Sequence, residues 1–109
     1  MEILVVLCTF PNMETARQIA STLVESQLAA CVNLCPAVQC IYRWQGKVES
    51  AEEVLALIKT TRTVYPALEA RLKKLHPYDV PEIIALPVER GSDAYNKWVA
   101  GSSIGGLPS

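Results

Sequence analysis

The chain lacks several features by which common functional classes are recognised. It has one histidine, and its 10 basic and 11 acidic residues leave a net charge of −1, so no basic field is available for DNA or RNA. Its longest uncharged apolar run, Ile3–Phe10, is far shorter than the roughly 20 residues of a membrane-spanning helix, and no basic and apolar signal peptide precedes it. We therefore expect a cytoplasmic protein that neither binds nucleic acid nor spans a membrane.

The composition favours a single globular domain. Half of the 109 residues are hydrophobic and 19% are charged, which suits a chain with one core. The domain is predicted to span residues 1–100. Residues 101–109 contain three glycines, three serines and one proline, so this tail is predicted to be flexible or ordered by a neighbouring chain.

The four cysteines do not match a structural zinc motif. Cys31, Cys35 and Cys40 are separated by three and four residues, unlike the paired C-x2-C knuckles of such sites. Without a secretion signal, reduced and mostly buried thiols are expected. Cys8 is set apart, because it closes an apolar strand just before a turn, where a side chain can leave the core.

The first part of the chain reads as a strand followed by a helix. Residues 2–10 form a run rich in β-branched and aliphatic residues, which is typical of a central strand. Asn12 is the predicted N-cap of the helix. The core-facing positions of this helix recur at helical spacing. They are Ala16, Ile19, Ala20, Leu23 and Val24.

The last part of the chain predicts a helix, a strand and a shorter helix. Thr63 is expected to cap a helix over residues 64–75, and residues 82–88 are expected to form a strand with Pro87 at an edge. The core-facing residues of the first helix are Tyr65, Leu68, Leu72 and Leu75. The short helix, over residues 93–100, is predicted to bury Tyr95, Trp98 and Val99.

Between these parts lies a predicted hairpin of unusual length. The arms of this hairpin are predicted to span residues 30–44 and 47–61, with the turn at Gln45-Gly46. Pro36 is predicted to mark a bulge or an edge position. Each arm would approach 50 Å at roughly 3.3 Å per residue. Its distal apolar side chains are Ile41, Tyr42, Trp44 and Val48. One domain of this size cannot cover them, so we predict an obligate homo-oligomer in which the hairpin reaches across subunits.

The order of elements indicates the fold class. Strand, helix, strand, strand, helix and strand make an α+β, ferredoxin-like βαββαβ sandwich, here with an extended hairpin and a short C-terminal helix. Right-handed crossovers place the first and third strands at the centre of an antiparallel sheet. This fold serves many unrelated functions, so it does not identify one.

Three polar features have two interpretations each. His76 lies in a loop stiffened by Pro77 and Pro81, where it either forms a binding site or caps the last carbonyls of the preceding helix. Lys59 continues an apolar row of its strand, so it either extends past the sheet or meets an anion in a cleft. The acidic residues after the hairpin turn, which are Glu49, Glu52 and Glu53, are expected to form a solvated face rather than a cation site.

Several separated motifs, in this order, resemble the CutA divalent-cation tolerance family over nearly the whole chain. They are residues 7–9 (LCT), 28–33 (LAACVN), 42–47 (YRWQGK), 58–60 (IKT), 76–78 (HPY), 81–83 (PEI), Gly91 and 95–98 (YNKW). The resemblance implies a homotrimer of ferredoxin-like subunits, similar in assembly to the nitrogen-regulatory signalling trimers. This agrees with the oligomer expected from the length of the hairpin.

The same resemblance implies a metal site and a role in tolerance of divalent cations, copper especially. The residues that match the family's proposed ligands are Cys8, His76 and Glu82. Thiolate, imidazole and carboxylate suit Cu(II), and also zinc or another divalent cation. Three protein ligands would leave an open position, as in a labile site.

Two further hypotheses come from other functional classes. In the first, a cleft between subunits binds a small anionic metabolite, with Lys59 as the counter-charge and Tyr78 and Trp44 as walls, and a partner reads its occupancy. In the second, Cys8 is a nucleophile and His76 its base. No orienting group or oxyanion site accompanies this pair in the sequence, so we predict that the protein is not an enzyme.

Overall fold

The computed structural model describes residues 2–105 and shows four strands and three helices within them. The strands are β1 (Ile3–Phe10), β2 (Cys31–Trp44), β3 (Lys47–Thr61) and β4 (Ile84–Pro87). The helices are α1 (Met13–Glu25), α2 (Tyr65–Leu75) and α3 (Asp93–Ser102). In the described part of the chain, no helix is both long and apolar enough to cross a membrane.

All strand pairs are antiparallel, and the sheet order is β2-β3-β1-β4. The predicted α+β class, the order of elements and the central place of the first and third strands are therefore confirmed. Val6 on β1 and Ile58 on β3 are fully buried, because α1 and α2 cover this face of the two central strands. β4 is shorter than predicted at both ends, and Pro87 lies on an edge strand opposite Leu4, as expected.

The main core lies between the sheet and the helices α1 and α2. Its fully buried members include Val6, Phe10, Ala16, Leu23, Ile58, Leu68 and Leu72. The predicted cap of α1 is confirmed, since Oδ1 of Asn12 accepts a hydrogen bond of 2.8 Å from the backbone N–H of Thr15. Val24 and Leu75 were expected in the core but are exposed, because each lies at the margin of its helix's apolar stripe.

The predicted cap of α2 is wrong. The N-cap residue is Val64, which makes no side-chain capping bond. The strand supplies a partner instead, because the backbone N–H of Val64 donates a hydrogen bond of 3.3 Å to Oγ1 of Thr61. Thr61 is buried at the last position of β3, whereas Thr63 is exposed in the turn.

The long hairpin is confirmed with nearly the predicted bounds. Pairing runs from Cys31 opposite Lys59 to Trp44 opposite Lys47, and the register shifts between Cys35 and Val38. This shift is the bulge expected at Pro36, and it places the following Ala37 at φ = +60°. At the tip, Gln45 and Gly46 both have positive φ, which is the geometry of the tight turns that match strand twist.

Among residues 2–105, the second face of the sheet is covered only at one end. There Val99 of α3 packs against Ile3 and Ala30. The rest of this face, which we call the open face, carries Val5, Leu7, Leu55, Leu57, Ile84 and Leu86 by strand register and alternation. Ile84 and Leu86 are about half exposed in the isolated chain.

Helix α3 buries fewer of its side chains than predicted. Val99 is fully buried, but Tyr95 and Trp98 are 42% and 48% exposed, so their predicted core positions are wrong for the single chain. Their rings pack against each other, with centroids 5.6 Å apart. α3 covers only the end of a sheet face, and one row of its side chains is enough for that contact.

The predicted tail begins inside α3, which runs to Ser102 rather than ending at Ala100. Beyond the helix, Ser103 is buried, and the backbone N–H of Gly105 donates a hydrogen bond of 2.7 Å to the carbonyl oxygen of Gln27. The remainder of the predicted tail, residues 106–109, lies outside the described residues, as does Met1.

Candidate cation site at the end of strand β1

His76 joins the end of α2 to the end of β1. Its side chain is 7% exposed, and its Nε2 lies 2.8 Å from the carbonyl oxygen of Thr9. A carbonyl can only accept, so Nε2 carries the hydrogen and donates it. Nδ1 then has a free lone pair, which accepts a hydrogen bond of 3.1 Å from the backbone N–H of Tyr78. Both ring nitrogens are therefore occupied within the chain.

Aromatic contacts fix the plane of the same ring. The imidazole stacks on Phe10 at a centroid distance of 4.9 Å and an interplanar angle of 16°. The Tyr78 ring lies 4.8 Å away at 49°. Of the two interpretations of His76, capping of α2 by the side chain is wrong, because the carbonyl that receives its N–H belongs to β1. The backbone N–H of His76 does close α2, by donating to the carbonyl oxygen of Leu72.

Cys8 lies on the helix-covered face of β1, opposite Ala56, and is fully buried. The expectation that its side chain leaves the core is wrong, because α1 and α2 cover this end of the strand. Burial raises the pKa of the Cys8 thiol to about 12, and the negative charges of Glu82 and Glu53 add to the effect. A thiol with this pKa is neutral at pH 7, which is the opposite of an activated nucleophile.

The carboxylates of Glu82 and Glu53 both raise the pKa of the Cys8 thiol. Of these two residues, the sequence predicted only Glu82 at this site. Glu82 is exposed just after Pro81. Glu53, opposite Val38 on the hairpin, is partly buried, so the predicted solvated face holds for Glu49 and Glu52 but not for Glu53. In the sequence, the partial burial of Glu53 is indicated by its position two residues before Leu55. This spacing places Glu53 in the same row of the strand as apolar side chains.

Glu53 is incompletely hydrogen bonded. Its Oε1 is 3.5 Å from the hydroxyl of Tyr78, which is the long limit of a hydrogen bond. Its Oε2 is buried and has no hydrogen-bond partner among the described residues. Burial raises the pKa of the Tyr78 phenol, and the nearby Glu53 raises it further. One oxygen of this carboxylate is thus buried without a donor among the described residues.

These groups surround one region but do not form a finished metal cluster. Within residues 2–105, no three His, Cys, Asp or Glu side chains are gathered closely enough to hold a metal ion. Cys8 and Glu82 are close enough to interact electrostatically, and His76 contacts Phe10, two residues after Cys8 in the same strand. Coordination by all three predicted ligands would require side chains to move.

The residues predicted to bind an anion are spread along the hairpin. Lys59 pairs with Val5 and Cys31 near the base, and Trp44 pairs with Lys47 at the tip. Lys59 lies twelve positions after Lys47, so at roughly 3.3 Å per residue the two are about 40 Å apart along the strand. Tyr78 is held at the His76 loop. One chain does not bring the three together, and the hypothesis depends on a cleft between chains.

Comparison with known proteins identifies the family. The profile of the CutA1 divalent ion tolerance protein family matches residues 4–102, a range that includes Cys8, His76 and Glu82. The chain belongs to this family. The resemblance inferred from its motifs is thereby confirmed.

Individual CutA proteins agree in sequence and in fold. The divalent-cation tolerance protein CutA of Thermus thermophilus is 54% identical over 95 residues, covering 87% of this chain and 92% of that protein. A solved structure of a divalent cation tolerance protein, also from Thermus thermophilus, has a TM-score of 0.90 and 50% identity, covering 93% of this chain and 98% of the other.

A plant relative shows that CutA sequences occur in longer proteins. The chloroplastic CutA of Arabidopsis thaliana is 43% identical over 100 residues, and the match covers 92% of this chain but 55% of that protein. Its name places it in the chloroplast. The cytoplasmic location of the present chain stays a prediction.

Proposed function

We propose that the protein supports tolerance of divalent cations by binding a copper or zinc ion at Cys8, His76 and Glu82. The observation that supports this is the unbalanced negative charge around Cys8. Glu82 and Glu53 both act on its thiol, and neither forms an ion pair within residues 2–105. A divalent cation would be attracted by two carboxylates that lack an ion-pair partner.

The chemistry of the donors fits such an ion. A thiolate, an imidazole and a carboxylate are the ligand types that copper and zinc accept. A bound divalent cation supplies the positive charge that stabilises the thiolate of Cys8. His76 contributes a nitrogen only after Nδ1 gives up its hydrogen bond from Tyr78. Release of that bond is the step by which occupancy would reach the loop and a partner protein.

The proposed assembly is a homotrimer. The open face supports it, because apolar side chains such as Ile84 and Leu86 remain exposed in the single chain. The distal hairpin adds Ile41, Trp44 and Val48, which are also exposed. Contiguous apolar surface of this kind is typical of an interface between subunits.

Calorimetric titration of copper and zinc into reduced protein of verified oligomeric mass tests the cation site. We expect near one site per chain. Cys8→Ala, His76→Ala and Glu82→Gln should each weaken binding tenfold or more, which corresponds to about 1.4 kcal/mol. Cys35→Ala is the matched control, because Cys35 is a half-buried thiol on the opposite face of the sheet.

The control variant should bind like the wild type. Equal losses in Cys8→Ala and Cys35→Ala would indicate nonspecific thiol binding and would reject the proposed site. Wild-type protein that binds neither copper nor zinc above background would reject the metal function itself.

Lys59 supports a second candidate, a receptor for a small anionic metabolite. It is partly buried in an apolar row, and among residues 2–105 no carboxylate lies within ion-pair distance of it. An anion in the cleft between subunits would balance its charge. Thermal shift measurements with nucleotides and small carboxylates should show stabilisation that Lys59→Met removes and Lys47→Met retains. Equal stabilisation of both variants would reject this candidate.

A further inference from the structure

We propose that a groove between α2 and the end of α1, which we call the helix groove, is a docking site for residues 106–109 of the same chain, with Leu107 as the apolar anchor. The structure describes the chain as far as Gly105, and the segment that follows reads Gly-Leu-Pro-Ser. Occupation of the helix groove does not depend on the proposed cation site.

The helix groove combines apolar and basic side chains. They come from α2, from the end of α1 and from the connection between α1 and β2, and they are Ser26, Leu28, Ala67, Ala70, Arg71 and Lys74. The four residues from α2 recur at spacings of three and four, so they form one exposed stripe of this helix. This stripe lies beside the buried stripe of Leu68 and Leu72. Apolar surface on neighbouring elements is thus available to a side chain that fits between them.

Gly105 brings the chain to the helix groove. Its backbone N–H donates a hydrogen bond of 2.7 Å to the carbonyl oxygen of Gln27, which lies between the lining residues Ser26 and Leu28. A Cβ atom on Gly105 would lie only 2.6 Å from that oxygen and 2.8 Å from Cδ2 of Leu28. A side chain at this position would therefore force the chain away. The residues after Gly105 start at the edge of the groove.

The path from α3 to Gly105 leads from one layer of the fold to another. Val99 of α3 packs against Ile3 and Ala30, on the sheet face opposite to α1 and α2. Six residues later, Gly105 is bonded to the connection between α1 and β2. Ordering residues 103–105 on this path costs conformational entropy. Contacts made by the next residues in the helix groove would offset that cost.

Leu107 has the reach and the chemistry for the helix groove. Two extended residues span roughly 7 Å, and packed helices lie about 8–10 Å apart. A side chain two positions after Gly105 therefore reaches across the groove. There, Leu107 would bury its methyl groups against Leu28, Ala67 and Ala70.

The backbone of the docked segment also suits the basic side chains of the groove. Pro108 restricts the preceding Leu107 to extended conformations. Carbonyl oxygens of an extended segment accept hydrogen bonds, and the side chains of Arg71 and Lys74 can only donate them. The long carbon chains of the same two residues would cover the sides of the Leu107 side chain.

Methyl NMR of the 109-residue chain tests the docking, and we expect nuclear Overhauser contacts between Leu107 and the methyl groups of Ala67 and Ala70. Leu107→Asp should shift both alanine methyl resonances and lower the melting temperature by several degrees. Ser109→Asp is the matched control, since it adds the same charge two positions later, and it should leave both readouts near their wild-type values. Both variants should fold, because the family match ends before this segment, at residue 102.

Gly105→Ala tests the anchor without changing the docked segment. The added Cβ would collide with the carbonyl of Gln27, so the variant should shift the Ala67 and Ala70 methyl resonances in the same direction as Leu107→Asp. Gly101→Ala is the matched control, because a Cβ atom there meets no described atom within 4 Å. The methyl resonances of this control should stay at their wild-type positions.

The outcomes identify the occupant of the helix groove. Protein mixed from differently labelled chains should show the Leu107 contacts within one chain. Contacts found only between chains would make a second copy the occupant and would overturn the proposal. Alanine methyl resonances that do not respond to Leu107→Asp would also overturn it, and a response to Gly105→Ala alone would then reflect a local change at Gln27. These results leave the cation site unaffected, because copper and zinc titrations measure it separately.

Discussion

Nε2 of His76 donates a hydrogen bond of 2.8 Å to the carbonyl oxygen of Thr9, so the chain's one imidazole joins two elements that are 67 positions apart in sequence. The other nitrogen of the ring holds the backbone of Tyr78. The end of β1, the end of α2 and the following loop are thereby fixed to one another. A ligand that binds at His76 would therefore act on a region whose stability depends on the His76 side chain.

Substitution of His76 should destabilise the fold through its hydrogen bonds. His76→Phe keeps an aromatic ring against Phe10 but leaves the Thr9 carbonyl and the Tyr78 N–H unpaired, at an expected cost of about 1–3 kcal/mol. His76→Ala also removes the buried ring and should cost about 3–5 kcal/mol. Urea unfolding at fixed protein concentration measures both values. A His76→Phe protein as stable as the wild type would show that these hydrogen bonds contribute nothing net.

Cys8 should make stability depend on pH in the alkaline range. Its pKa is raised from 9.0 to about 12 in the folded protein, so the fold keeps a proton that the unfolded chain loses above pH 9. The contribution of this retained proton to the free energy of unfolding is complete below pH 9. It declines by about 1.4 kcal/mol per pH unit as the pH rises from 9 toward 12. Urea unfolding from pH 8 to 10.5 should show the decline in the wild type.

The matched controls for this prediction are Cys8→Ala and Cys35→Ala. Cys8→Ala should be less stable at pH 8, because it leaves a cavity, but should lose less stability as pH rises. Cys35→Ala should retain the wild-type slope. Parallel slopes in all three proteins would contradict a buried, protonated Cys8 thiol.

The bulge in β2 holds a strained alanine. Ala37 has φ = +60°, a conformation that costs an L-residue about 1–2 kcal/mol and glycine almost nothing. Ala37→Gly should therefore stabilise the protein by about 0.5 kcal/mol, after the added entropy of the unfolded chain is subtracted. Ala51→Gly, in the regular part of β3, should destabilise it by about 0.5–1 kcal/mol. Thermal unfolding that moves in the same direction for both variants would reject this assignment of strain.

The open face should control self-association. Leu86 lies on it opposite Val5, and Leu86→Glu would bury a charge if the face is an interface between subunits. We expect Leu86→Glu to lower the mass measured by light scattering from that of a trimer toward that of a monomer. Val24→Glu, at an exposed position of α1 away from this face, should leave the mass unchanged. A trimer that survives Leu86→Glu would place the interface elsewhere.

The sequence predicted the architecture well where a local sequence pattern is compatible with only one local structure. Gln45-Gly46 suits a turn in which both residues have positive φ, and this turn fixed the register of both hairpin arms. Asn12 was identifiable as a cap because its side chain bonds to a residue three positions away. Thr61 was missed as the partner of Val64 because a strand residue is not expected to cap the next helix.

The site was predicted less completely, because its contacts join distant parts of the chain. The residue types and the proline-stiffened loop marked His76, but no local pattern indicates that Thr9 and Tyr78 occupy its nitrogens. Likewise, Glu53 looks like its exposed neighbours Glu49 and Glu52 in sequence. Its partial burial arises because the loop after α2 brings Tyr78 over the hairpin.

The order of the elements, the length and turn of the hairpin and membership of the CutA1 family were predictable from local patterns, because hydrophobic spacing, turn residues and motifs are all properties of short segments. The burial of Cys8, the tautomer of His76 and the unsatisfied oxygen of Glu53 depend instead on contacts between distant segments of the folded chain. Burial and hydrogen bonding depend on which distant residues pack together, and that packing is fixed only when the helices close over the sheet.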